Sequence, residues 1–197
     1  MLYGVPLRCL RPSKLKMKIM KQYDLNNARL VEIGEDEIPA VEAIARRALS
    51  STYDAYIPAD KELTEDDAED DERPKAQFFG KRGAAYKIVI GDDVVGGVFL
   101  SFDPFGDSVH CATLSLLGIR ADMQGKGIGQ KVWRKLEEIH SDVRIWRLHT
   151  PAFALRNLAF YVNQCGFVLY DITTGSERFD WHMFRLRKIV AGTHQHE

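Results

Sequence analysis

Cysteine is scarce in this 197-residue chain: Cys9, Cys111 and Cys165 are three, an odd number without metal-type spacing. That excludes a disulfide framework and a zinc cluster and suits a reducing compartment, so a cytoplasmic location is expected. Long apolar runs are missing too. Nothing approaches the ~18 residues of a membrane span, and residues 1–22 lack the apolar core of a signal peptide, so no membrane association is expected. Charge of one sign is also lacking: 27 Lys and Arg against 28 Asp and Glu leave a formal net charge of -1. Nucleic acid therefore has no electrostatic footing as a partner. Low-complexity tracts are absent, and His194 and His196 in the tail are not read as metal ligands.

What is present suits one domain. A 45% hydrophobic content over this length supports one sizeable core, placed at residues 23–190. The first 22 residues carry six basic side chains (Arg8, Arg11, Lys14, Lys16, Lys18, Lys21) and no acid. Met17 and Met20, just before the first element, favour a mobile extension or an upstream start codon over the alternative of a transit-like or lipid-touching arm. Residues 191–197 read as a tail.

Alternation at 28–33 predicts a short strand closed by Gly34. Ile38, Val41, Ile44, Ala45 and Ala48 then recur at helical spacing behind the acidic turn Glu35-Asp36-Glu37. Residues 60–72 hold nine carboxylates and read as a solvated loop or frayed helix. Three strands follow at 85–90, 94–102 and 110–119, an antiparallel meander joined by turns at 91–93 and 103–107. Gly118 inside the third suggests a bulge or a close ligand approach. A strand is also expected over 143–150, and two more near 167–171 and 180–186.

Residues 117–133 run from an apolar strand through Gly125, Gly127 and Gly129 into an amphipathic helix with an apolar stripe of Ile128, Val132, Leu136 and Ile139. Alternate glycines let successive N–H groups converge on one point, and the helix start adds its unpaired N–H groups and positive dipole end. This is the pattern of a phosphate cradle, the plainer reading being an ordinary strand-to-helix turn. The spacing matches neither a Walker loop nor a dinucleotide fingerprint. It is Gln124-Gly125-Lys126-Gly127-Ile128-Gly129, of the form Gln/Arg-x-x-Gly-x-Gly/Ala, and it resembles the acetyl-CoA loop of the GNAT superfamily of N-acetyltransferases. A second segment, Asn157-Leu-Ala-Phe-Tyr161 running to Gly166-Phe167, is similar to that family's Asn-x-x-Ala-x-x-Phe-Tyr helix, compressed at its front to Asn-x-Ala-Phe-Tyr. The order loop, helix, strand, helix is more specific than either motif, and the resemblance covers roughly residues 85–171.

The resemblance implies an α/β GNAT-like fold with a mixed, mostly antiparallel sheet flanked by helices. It implies an acetyl-CoA-dependent N-acetyltransferase in which acetyl-CoA is the cosubstrate and a primary amine, on a small molecule or a protein, attacks directly; homodimerisation is left open. The pyrophosphate falls to the backbone of Gln124, Gly125, Lys126, Gly127, Ile128 and Gly129, with Lys126 and Lys131 as nearby charge or merely solvated lysines. A bulge at 117–119 frees the backbone of Leu117 and Ile119 for the pantetheine amide and the thioester carbonyl. Asn157 holds the pantetheine arm and Tyr161, one turn further along the same helical face, protonates the departing sulfur. Tyr161 also reads as half-buried packing.

The family's frequent glutamate before the loop has no counterpart at 110–119, so the proton acceptor is His110, His149 or a water chain. Cys111 and Cys165 are bystanders. An enzyme using another acyl-CoA, or a non-catalytic acyl-CoA-binding module, are the alternatives. The resemblance also implies that the segment between the first two strands, here holding Tyr53, Tyr56 and the carboxylates of 60–72, overhangs the acceptor side of the cleft and favours a cationic amine, the plainer reading being acids that solvate a loop.

Overall fold

The alternating runs do form strands. A computed structural model of the protein describes residues 20–53, 82–102, 110–174 and 181–190, and places eight strands in one sheet. These are β1 (Gln22–Asp24), β2 (Arg29–Glu32), β3 (Gly83–Ile90), β4 (Asp93–Phe102), β5 (Cys111–Ile119), β6 (Ile145–Pro151), β7 (Val168–Thr173) and β8 (Met183–Ile189), in the order β1-β2-β3-β4-β5-β6-β8-β7. All neighbours are antiparallel except β5 and β6. Three α-helices stand among the described residues: α1 (Ile38–Tyr53), α2 (Ile128–Ile139) and α3 (Leu155–Cys165). The basic arm up to Lys18, the carboxylate run with Tyr56, the turn at 103–107 and the tail with its two histidines lie outside the described residues. Ordered pairing begins inside the expected extension, because the Glu32 N–H donates to the Lys21 carbonyl at 2.9 Å and β1 opens at Gln22.

Each helix follows its apolar stripe. Ile38, Val41, Ala45 and Ala48 are buried on α1, while the acidic turn before it is a 3-10 turn, Glu35–Glu37. On α2 the stripe Ile128, Val132 and Leu136 is buried as expected, and Trp133 joins it, meeting Trp146 at 5.0 Å and Phe167 at 4.9 Å between ring centroids. α3 stops at Gly166, whose φ of 77° is the left-handed geometry a helix end favours in glycine.

The register sorts the core onto two faces. Ala112, Leu114, Trp146, Leu148 and Leu186 share the larger core with α2 and α3, whereas Ile33, Ala85, Phe99 and Leu116 pack with α1. Gly118 belongs to the α1 side, and its reason differs from both expectations: a Cβ there would overlap the Ala45 carbonyl. Gly97 is similarly constrained, its Cβ falling 2.6 Å from Val41 Cγ1. These glycines let a helix backbone lie close against the sheet. Among the described residues no helix is long and apolar enough to cross a membrane.

Candidate active site

The bulge expected at 117–119 sits slightly earlier. Phe99 pairs with Leu116 and Leu100 with Leu114, which leaves Ser115 as the extra residue; its hydroxyl lies 3.1 Å from that of Ser101. The adjacent pair Leu116-Leu117 is the sequence trace of this slip, because two consecutive leucines break the period-2 alternation.

At the same point the sheet divides. β5 pairs with β6 only over Cys111–Leu114 against Ile145–Leu148, while β6 continues through His149, Thr150 and Pro151 along β8. Beyond Leu114 the backbone groups of β5 that point away from β4 have no ladder partner, and Leu117 and Ile119 lie on this open edge. α3 stands beside the gap. Asn157 Nδ2 donates to Thr150 Oγ1 at 3.4 Å, fastening the first turn of α3 to the diverging half of β6.

The glycine loop closes one end of the gap. A 3-10 turn, Ala121–Met123, follows β5, and Arg120 braces it through Asp122 at 2.7 Å and Asp93 at 3.7 Å. The Arg120 hydrogen bond holds the Asp122 carboxyl below its ordinary value. Gly125 and Gly127 both adopt φ of 75°, open to glycine at little cost, and neither would meet an atom within 4 Å if it carried a Cβ. The loop therefore faces open space. Gly127 is the N-cap of α2 and offers no capping side chain; among the described residues no backbone hydrogen bond engages the N–H of Gly125, Lys126 or Gly127. Such a start presents unpaired donors and a positive dipole end.

The other expected residues are distributed unevenly. Gln124 spends its N–H on the Ala121 carbonyl at 3.2 Å, and its side chain donates to the Ile119 carbonyl at 2.7 Å. Lys126 lies exposed with its ammonium 3.5 Å from Met123 Sδ, while Lys131 reaches across to Asn27 Oδ1 at 2.9 Å, tying α2 to the β1–β2 turn. Gly129 faces Phe160, whose ring would stand 3.1 Å from an added Cβ, so α3 packs directly beneath the loop. Sequence patterning gave no sign of Phe160 or Asn27 here, since both contacts join residues far apart in the chain.

Tyr161 is half-buried, its ring 5.1 Å from that of Phe160 and 5.8 Å from that of Phe167, and burial lifts its hydroxyl above the ordinary phenol range. The two histidines separate. His110 precedes the far end of β5, about 20 Å along the strand from Leu117 at ~3.3 Å per residue, and bonds Asp142 at 2.8 Å. His149 is exposed at the mouth of the gap. Burial pushes the Cys165 thiol up to about 12, far from a reactive thiolate.

Solved structures share this architecture. An acetyltransferase from Bacillus cereus, described as an IAA acetyltransferase, superposes with a TM-score of 0.59 at 19% identity, over 83% of this chain and 99% of that one. Arabidopsis thaliana Naa50, solved with the bisubstrate analogue CoA-Ac-MVNAL, gives 0.60 at 14% identity over the same shares. The chain belongs to the acetyltransferase (GNAT) family, whose model matches residues 42–167. A protein of Bacillus subtilis, the uncharacterized YrkN, is 30% identical over 118 residues, 60% of this chain and 56% of its own length. The chain thus matches little more than half of that curated relative.

Proposed function

We propose that this protein is a cytoplasmic, acetyl-CoA-dependent N-acetyltransferase that acetylates a primary amine by direct attack. One observation carries the reading: among the described residues the edge of β5 beyond Leu114 pairs with no strand, and it leads straight to the uncapped, glycine-turned start of α2. A long thin cosubstrate with a diphosphate at one end and an amide-bearing arm at the other fits that sequence of groups. The N–H groups from Gly125 to Gly129 take the pyrophosphate, with Lys126 and Lys131 adding charge. The backbone of Leu117 and Ile119 takes the pantetheine amide and the thioester carbonyl, and Asn157 steadies the arm.

In the reaction the amine lone pair attacks the thioester carbon, the C–S bond breaks, and the thiolate takes a proton from Tyr161. The amine's own proton leaves through His149 or water. Direct attack needs no thiol intermediate, and burial raises the Cys165 thiol's pKa well away from that of a reactive thiolate. That a structural neighbour accommodates a CoA-linked peptide analogue supports the cosubstrate.

The test is calorimetric titration with CoA, followed by thiol release from acetyl-CoA across a panel of amines. Binding with amine-dependent release is expected. Faster release from a longer acyl-CoA would reassign the donor, tight binding without transfer would make the protein a binding module, and no binding would overturn the site.

A further inference from the structure

Ser115 stands at two breaks in the sheet at once. It is the bulged residue of β5, between the pairing of Leu114 with Leu100 and that of Leu116 with Phe99, and it is the first residue past the last β5–β6 pair, Leu114 with Leu148. Neither break requires the other, because the bulge belongs to the ladder with β4 and the divergence to the ladder with β6. Both fall on one residue. Bulges re-aim a side chain and concentrate beside active sites.

The direction in which Ser115 is aimed follows from its neighbours. Leu100 and Leu114 belong to the core under α2 and α3, whereas Phe99 and Leu116 pack with α1. Side chains alternate along a strand, so Ser101 shares the face of Phe99, and the Ser115 hydroxyl, 3.1 Å from that of Ser101, lies on that face too. α1 closes on the same face at Gly97 and Gly118; the two serines stand further along their strands and are half-buried. A cosubstrate anchored at the start of α2 and passing beside α3 reaches the gap from the opposite face. The acceptor is left the face of the serines.

Two hydroxyls bonded to one another use one O–H and one lone pair. Whichever of them donates, the Ser115 oxygen keeps a lone pair. β5 carries no carboxylate and no imidazole, and Ser115 is its one hydroxyl beyond the point where β6 departs. A hydrogen-bond acceptor of this kind suits an N–H group.

We propose that Ser115 is a catalytic residue whose Oγ accepts a hydrogen bond from the acceptor's amine N–H and aims the nitrogen lone pair at the thioester carbon, and that Ser101 is the positioning residue that holds Ser115. The inference rests on the acetyltransferase reading. As the C–N bond forms the nitrogen becomes positively charged, so its N–H becomes a stronger donor and the bond to Ser115 tightens in the transition state. An interaction that strengthens there raises kcat. The amine's proton leaves by the route given above, and both hydroxyls keep their own.

The experiment is single-turnover thiol release from bound acetyl-CoA at varied concentrations of an amine taken from the panel above, with CoA affinity by calorimetry as the control for folding. Ser115→Ala should lower the maximal rate about tenfold to a hundredfold, the scale of a hydrogen bond to a charged group. The half-saturating amine concentration should change by about threefold or less, and CoA affinity should be retained. Ser101→Ala should lower the same rate by a smaller factor and add nothing to Ser115→Ala in the double variant, since it acts only through Ser115. Ser101→Thr, which keeps the hydroxyl, should recover the rate. An unchanged maximal rate in Ser115→Ala, or a loss that falls on CoA affinity instead, overturns the role of Ser115 and leaves the transferase standing. Losses that multiply in the double variant, or a Thr variant as slow as the Ala variant, overturn the role of Ser101. CoA binding by the unaltered protein with no transfer to any amine overturns the transferase reading, and the serine pair with it.

Discussion

Gln124 donates its side-chain amide to the Ile119 carbonyl across 2.7 Å, binding the first residue of the glycine loop to the last residue of β5. The bond couples the phosphate end of the proposed site to its open strand edge. Replacing Gln124 with Leu leaves a half-buried carbonyl unpaired, at about 1–3 kcal/mol. The CoA dissociation constant should rise roughly tenfold or more by calorimetry while the circular dichroism spectrum is retained; an unchanged constant would uncouple the loop from the site.

Gly127 separates strain from obstruction. Its φ of 75° costs a side chain about 1–2 kcal/mol, yet the protein places nothing within 4 Å of an added Cβ. Gly127→Val should lower both the melting temperature and CoA affinity. Gly127→Asn, which tolerates this conformation, should recover the melting temperature and still bind CoA weakly. Full CoA affinity in the Asn variant would mean that no phosphate approaches the residue.

Tyr161→Phe tests the proposed acid. Turnover with a confirmed amine should fall by ~10²–10⁴, with CoA affinity unaltered because the lost proton is needed only as the C–S bond breaks. A preserved turnover number would reduce Tyr161 to packing against Phe160 and Phe167.

Gly118→Ala should loosen α1. The new methyl overlaps the Ala45 carbonyl, a backbone atom that no rotamer change can remove, so overpacking of about 1–3 kcal/mol is expected. In Gly97→Ala the first obstacle is the Val41 side chain, and Val41→Ala should restore part of the loss. Urea midpoints for the single and double variants decide it; equal behaviour of the two glycines would refute the distinction.

His140 gives the fold an acid limit. Its Nε2 lies 2.9 Å from the Tyr86 hydroxyl, and Phe102 packs on its ring at 5.2 Å. Burial holds its pKa below the ordinary value, with Asp142 opposing this. The folded state then binds fewer protons than the unfolded state. The stability contribution is therefore complete above the unfolded value of ~6.5 and is lost as pH falls from there through the folded value. Melts from neutral to mildly acidic pH should show a decline that His140→Gln flattens. Identical slopes would assign the decline elsewhere.

Much of this site is legible along the chain. Apolar, β-branched runs bounded by turn residues mark β3, β4 and β5, the stripe of Ile128, Val132 and Leu136 marks the buried side of α2, and the spacing Gln124-x-x-Gly127-x-Gly129 marks its turn. These features are local: side-chain direction and the freedom of glycine at positive φ are settled by a residue and its near neighbours. Gly118 suggested a bulge that the strand register places a few residues earlier, at Ser115. Tertiary structure decided the rest. Where β5 leaves β6, why Gly118 must be glycine, that His149 borders the gap while His110 does not, and that Arg147 opposes Arg187 all depend on which distant strand or helix lies alongside. Such pairings are set by the packing of the whole sheet, which no local period encodes.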